Sequence, residues 1–84
     1  SLKVCISKLP PHTSDEWVNQ LLNVCGKFKD WKRFRAANGD PKDGGIADFQ
    51  TLEGVFTSSK FINNLEIEKD GQTYTLLAKL LKKQ

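Results

Sequence analysis

The sequence predicts an α+β domain in which four antiparallel strands build one sheet and two helices cover one of its faces. Three observations predict it. Leu2 to Ser7 alternates apolar and polar side chains, as a half-buried strand does. Two segments, Trp17 to Cys25 and Leu52 to Ile62, carry apolar residues at helical spacing. Turn-forming stretches separate the remaining strand-like runs, which gives the order β-α-β-β-α-β.

The first strand presents Leu2, Val4 and Ile6 on one face and ends at Pro10-Pro11. Thr13 followed by Glu16 has the spacing of a capping box, in which hydroxyl and carboxylate satisfy opposite backbone donors at a helix start. Trp17, Val18, Leu21, Leu22, Val24 and Cys25 then form a wide apolar stripe, and Gly26 supplies a left-handed stop. Phe28 to Arg35 reads as a second strand with aromatic and basic residues interleaved. Asn38 to Gly44 is turn chemistry, and Gly45 to Gln50 a short third strand. Thr51 caps a second helix with Leu52, Val55, Phe56, Ser59 and Ile62 on one face; Gly54 and Thr57-Ser58-Ser59 make it weak by propensity, so packing must hold it. Glu66 to Glu68 and Gln72 to Tyr74 flank Lys69-Asp70-Gly71 as a hairpin, and a last strand runs from Tyr74 to Lys79 or Leu80. This is the split arrangement of ferredoxin-like domains, and it leaves the sheet face opposite the helices open.

Eighty-four residues, 38% hydrophobic and 27% charged, suit one globular domain that buries roughly 60% of its unfolded surface. The whole of 1–84 reads as that domain, excised from a longer chain. No stretch approaches the ~20 apolar residues of a membrane helix, so a soluble, intracellular domain without a membrane partner is expected. Cys5 and Cys25 lack the paired spacing of a zinc site or a disulfide framework and read as reduced structural thiols. His12, the one histidine, falls in a loop and reads as solvated. The net charge of +3 is modest but uneven: Lys27, Lys29, Lys32, Arg33 and Arg35 crowd the second strand, and Lys79, Lys82 and Lys83 the chain end.

Enzyme and carrier readings of this order of elements lack their residues. An acylphosphatase-like site needs an arginine-bearing glycine loop where Lys8-Leu9-Pro10-Pro11 stands, and a copper carrier needs paired cysteines where Cys5 is alone. No nucleophilic set, carboxylate pair or phosphate-binding loop appears, so no catalysis, cofactor or metal is expected.

Val4-Cys5-Ile6-Ser7-Lys8-Leu9 and Lys42-Asp43-Gly44-Gly45-Ile46-Ala47-Asp48-Phe49 resemble the hexamer and octamer of the RNA-recognition motif (RRM), and the resemblance covers essentially the whole chain. The family's base-stacking positions hold Cys5, Gly44 and Ile46 in place of Phe or Tyr, while its inward-facing aromatic is kept as Phe49. Stacking contributes ~1–3 kcal/mol per base, so the missing rings remove roughly 2–9 kcal/mol of affinity for a short RNA. Gln20-Leu21-Leu22, Cys25-Gly26 and Trp31-Lys32-Arg33 further resemble the RRM of splicing factors that join an N-terminal RRM to a C-terminal PWI domain and associate with the U1 small nuclear ribonucleoprotein (U1 snRNP).

What this resemblance implies is a degenerate RRM serving a nuclear pre-mRNA splicing factor as a binding and assembly module. Its partners would be splicing-factor proteins of the U1 particle, with weak, mainly phosphate-directed contact to single-stranded pre-mRNA or snRNA through Lys32, Phe34, Arg35 and Lys79. The alternative is a working single-stranded RNA binder in which Phe34, Trp31 and the basic strand replace the lost aromatics. The family pattern turns Trp31 toward the helices, leaving Lys32 and Phe34 on the open sheet; Arg33 would also point inward and snorkel to water at the sheet edge. Cys5, Ile46, Thr75 and Leu77 are then expected to form, beside Phe34, an apolar protein-binding patch bordered by Lys3, Lys32 and Lys79.

Overall fold

A computed structural model of the chain describes residues 2–81, and Lys82 and Lys83 of the expected C-terminal basic cluster lie outside the described residues. The elements run β1 (Lys3–Ser7), α1 (Asp15–Cys25), β2 (Phe28–Arg35), β3 (Pro41–Phe49), α2 (Leu52–Ile62), β4 (Glu66–Lys69), β5 (Gln72–Thr75) and β6 (Leu77–Leu80). The main sheet has the order β2-β3-β1-β6 with every neighbour antiparallel, and β4-β5 form a separate hairpin. Asp70 and Gly71 turn that hairpin with φ of 53° and 79°, the double left-handed geometry that matches the strand twist.

The helix side of the sheet carries Val4 and Ile6 of β1, Ala47 and Phe49 of β3 and Ala78 of β6, all buried against Val18, Leu22 and Cys25 of α1 and Val55 and Ile62 of α2. The expected α+β architecture is therefore present, with boundaries moved in several places. Ser14, not Thr13, caps α1: its hydroxyl accepts from the Trp17 N–H at 3.1 Å, while the Thr13 hydroxyl donates to the Pro10 carbonyl at 2.6 Å and is spent inside the loop. Gly26 ends α1 at φ 155°, ψ −175°, an extended conformation that glycine reaches and other residues avoid, rather than in the left-handed helical well. Val24 is 74% exposed and leaves the predicted stripe. β3 begins at Pro41, so the turn is shorter than Asn38 to Gly44; a strand's first residue can be proline because it owes the ladder no donor there.

The helix α2 is rotated relative to the predicted face. Gly54, Val55, Ser58 and Ile62 are buried, whereas Leu52 and Phe56 are 58% and 52% exposed. Small residues cause this: a Cβ on Gly54 would stand 2.9 Å from Cδ2 of Phe49, so the glycine lets the helix settle directly on that ring. Gly→Ala inside a helix ordinarily stabilises by about 1 kcal/mol. Here Gly54→Ala is expected to destabilise by roughly 1–3 kcal/mol through overpacking, read as a lowered urea midpoint; a raised midpoint would show that the Phe49 ring yields freely.

Candidate functional site

Alternation along the paired strands turns a second set of side chains to the open face, and the register arranges them in transverse rows. In the middle row Lys32 of β2 stands beside Ile46 of β3, Ile46 beside Cys5 of β1, and Cys5 beside Lys79 of β6. One step along β3 toward Phe49, Asp30, Asp48 and Lys3 are neighbours, and Lys3 Nζ pairs with Asp48 Oδ2 at 3.4 Å. One step the other way, Gly44 faces Ser7, and Ser7 faces Leu77. Phe34 extends this row, because a Cβ on Gly44 would lie 3.6 Å from its ring. Lys3, Asp30, Lys32, Phe34, Ile46 and Asp48 line a shallow depression of about 470 Å³ on the β2 side of the face.

Cys5, Ile46, Leu77, Phe34, Lys32 and Lys79 are thus brought together as the alternation predicts. Thr75 is not. It pairs with Glu66 in the hairpin, and Leu76 then turns inward, its N–H donating to the Leu65 carbonyl at 2.8 Å before β6 joins the sheet at Leu77. Arg35 is also separated from the others. A register shift follows Arg33, and Arg35 lines a cleft of about 710 Å³ with Pro11, His12, Asp40 and Asp43 beside the turn, its Nη1 donating to the Gly39 carbonyl at 3.1 Å.

Trp31 packs on the helix side, where Gly45 makes room: a Cβ there would stand 2.8 Å from Cη2 of the indole. The indole N–H donates to Asp15 Oδ1 at 2.9 Å. Arg33 points the same way but does not snorkel. Its side chain is 6% exposed, and its nitrogens donate to Asp15 Oδ1 (2.8 Å), the Lys42 carbonyl (2.8 Å) and the Thr13 carbonyl (2.7 Å). The guanidinium fork therefore bolts β2 to the loop before α1, and its charge is spent on structure. Sequence reasoning missed this tie and the aspartates Asp30 and Asp48. The available signal was parity: Arg33 shares a face with Trp31, so a charge sent inward requires an acceptor, and Asp30 shares a face with Lys32.

The Arg33 guanidinium, followed by the Trp31 indole, holds the Asp15 carboxyl below its ordinary range. A depressed folded-state pKa means stability that is present above the unfolded value of about 3.9 and lost as pH falls through the folded one. Acid unfolding should therefore steepen below about pH 4, and Asp15→Asn should lower stability at neutral pH while flattening that limb. Equal acid slopes for both proteins in urea titrations would remove Asp15 from the account. Burial pushes the Cys25 thiol up, in keeping with its place in the core, while Cys5 sits half-buried on the open face as a free thiol.

Neither a family model nor any curated protein matches this sequence. Solved structures do match in fold. The RRM of RNA15 superposes with a TM-score of 0.84 over 96% of this chain and 90% of that one, at 17% identity. The RRM of S. pombe Puf1 does so at 0.80 over 98% and 99%, also at 17% identity. The Rna15 RRM with bound RNA (GU) gives 0.80 over 99% and 85%, again at 17%. At such identities the likeness is one of fold, and the fold is that of an RRM.

Proposed function

We propose that this domain is a degenerate RRM that works as a protein-binding and assembly module of a nuclear pre-mRNA splicing factor in the U1 snRNP, with weak, mainly electrostatic contact to single-stranded RNA. The observation that carries the binding mode is the chemistry of the open face. Where an RNA-binding RRM would offer rings, Cys5 and Ile46 stand outward and Gly44 lies buried beside Phe34, which leaves an aliphatic strip that favours burial of a protein side chain over stacking of a base. Asp30 and Asp48 on the same face further oppose a close phosphate backbone. The splicing context rests on the resemblance carried by Gln20-Leu21-Leu22, Cys25-Gly26 and Trp31-Lys32-Arg33.

Lys32 and Lys79 remain the basic groups able to meet phosphates on the face itself, with Arg35 off to one side. The reading in which Trp31 stacks a base loses that ring to the helix side, and keeps only Phe34. An Ile46→Asp/Leu77→Asp variant, shown by circular dichroism to be folded, should fail to recover U1 particle proteins from nuclear extract. Undiminished recovery would exclude the sheet face as the assembly surface.

A further inference from the structure

The middle row of the open face is symmetrical in a way that specifies a ligand. Lys32 and Lys79 stand on the two edge strands, and the uncharged Ile46 and Cys5 fill the row between them. Among the described residues neither lysine makes an ion pair, whereas Lys3 is taken up by Asp48 and Arg33 by Asp15. Strands lie ~4.8 Å apart, so three steps across the sheet separate the two lysine Cα atoms by roughly 14 Å. An extended chain advances ~3.3 Å per residue and sends every second side chain to the same side. Residues i, i+2 and i+4 of a segment crossing the sheet therefore span about 13 Å and all face down.

We infer that the open face takes an extended acidic segment of the pattern acid, any, apolar, any, acid, with its two carboxylates on Lys32 and Lys79 and its apolar side chain on Ile46 and Cys5. This rests on the protein-binding reading above and adds the chemical class of the partner. The row of Asp30 and Asp48 confines the segment to the Phe34 and Leu77 side of the face. It also separates such a peptide from RNA: two carboxylates placed over lysines avoid the aspartates, while a chain charged at every nucleotide runs into them.

The probe is the synthetic peptide acetyl-Gly-Glu-Ser-Leu-Ser-Glu-Gly-amide, titrated into 15N-labelled domain, beside a version with Gln for both Glu and a uridine octamer. The Glu peptide should shift the amides of Lys32, Ile46, Cys5 and Lys79, weaken at high salt, and lose roughly two- to fivefold in affinity with each of Lys32→Gln and Lys79→Gln. Binding of the Gln peptide to the same amides with equal affinity, indifferent to both substitutions, would overturn the clamp and leave the protein-binding face standing. Shifts on the face from the octamer that persist at high salt, with none from either peptide, would overturn both readings. No shifts from any probe would overturn the clamp.

Discussion

A Cys5→Tyr/Ile46→Phe variant is expected to bind a single-stranded uridine octamer about 2–6 kcal/mol more tightly than the parent domain. The two positions are paired neighbours on β1 and β3, both half-exposed and both outward, so rings there would form adjoining platforms. Each platform contributes ~1–3 kcal/mol per stacked base, and 1.4 kcal/mol is a factor of ten. Lys32 and Lys79 at the ends of the same row are already placed to meet phosphates. Fluorescence anisotropy at one fixed salt concentration measures the gain. If the folded variant binds no better than the parent, the missing rings are not what limits RNA binding, and Asp30 and Asp48 become the leading cause.

The largest loss of stability is expected from Phe49→Ala, at about 3–5 kcal/mol. The ring is fully buried, meets Phe28 edge to face with centroids 6.5 Å apart, and fills the hollow left by Gly54 on α2. Truncating it removes the contact that seats α2 on the sheet, and a domain of this size has only about 5–15 kcal/mol in total. Urea unfolding followed by tryptophan fluorescence gives the number. A cost below about 1 kcal/mol would mean that α2 collapses into the cavity and that its position is set elsewhere.

The order of elements was legible in the sequence because strand alternation and helical spacing are local signals. The open-face partners followed from the same alternation, so Cys5, Ile46, Leu77, Lys32, Phe34 and Lys79 fell together as expected. What escaped was decided by contacts between distant segments. Thr75 shares the parity of Leu77 and Lys79, but its backbone is claimed by Glu66. Arg35 keeps its place in the rhythm of β2, yet the register shift before it moves it beside the turn. Leu52 and Phe56 lost their expected burial because Gly54, which a hydrophobicity pattern ignores, fits closer to Phe49 than a large side chain does, and Ser58 is buried on the same helix. Arg33 looked like part of a basic strip, and only the fold brings Asp15, 18 residues away, to its Nε.

The adjacent glycines of β3 restrict how this domain's sequence can drift. At Gly45 any side chain would meet the Lys32 carbonyl oxygen and the Trp31 ring, so substitution there threatens the tie between β2 and α1. At Gly44 the obstacle is backbone: a Cβ would lie 2.8 Å from the Ile6 carbonyl oxygen, because β1 and β3 approach too closely to admit one without moving. Point mutation can place aromatic rings at Cys5 and Ile46 while the strands stay where they are, but a ring at Gly44 demands that the sheet itself be respaced. A full set of stacking rings is thus sterically open at two of these positions and barred at the third, which leaves this face suited to contacts that do without that ring.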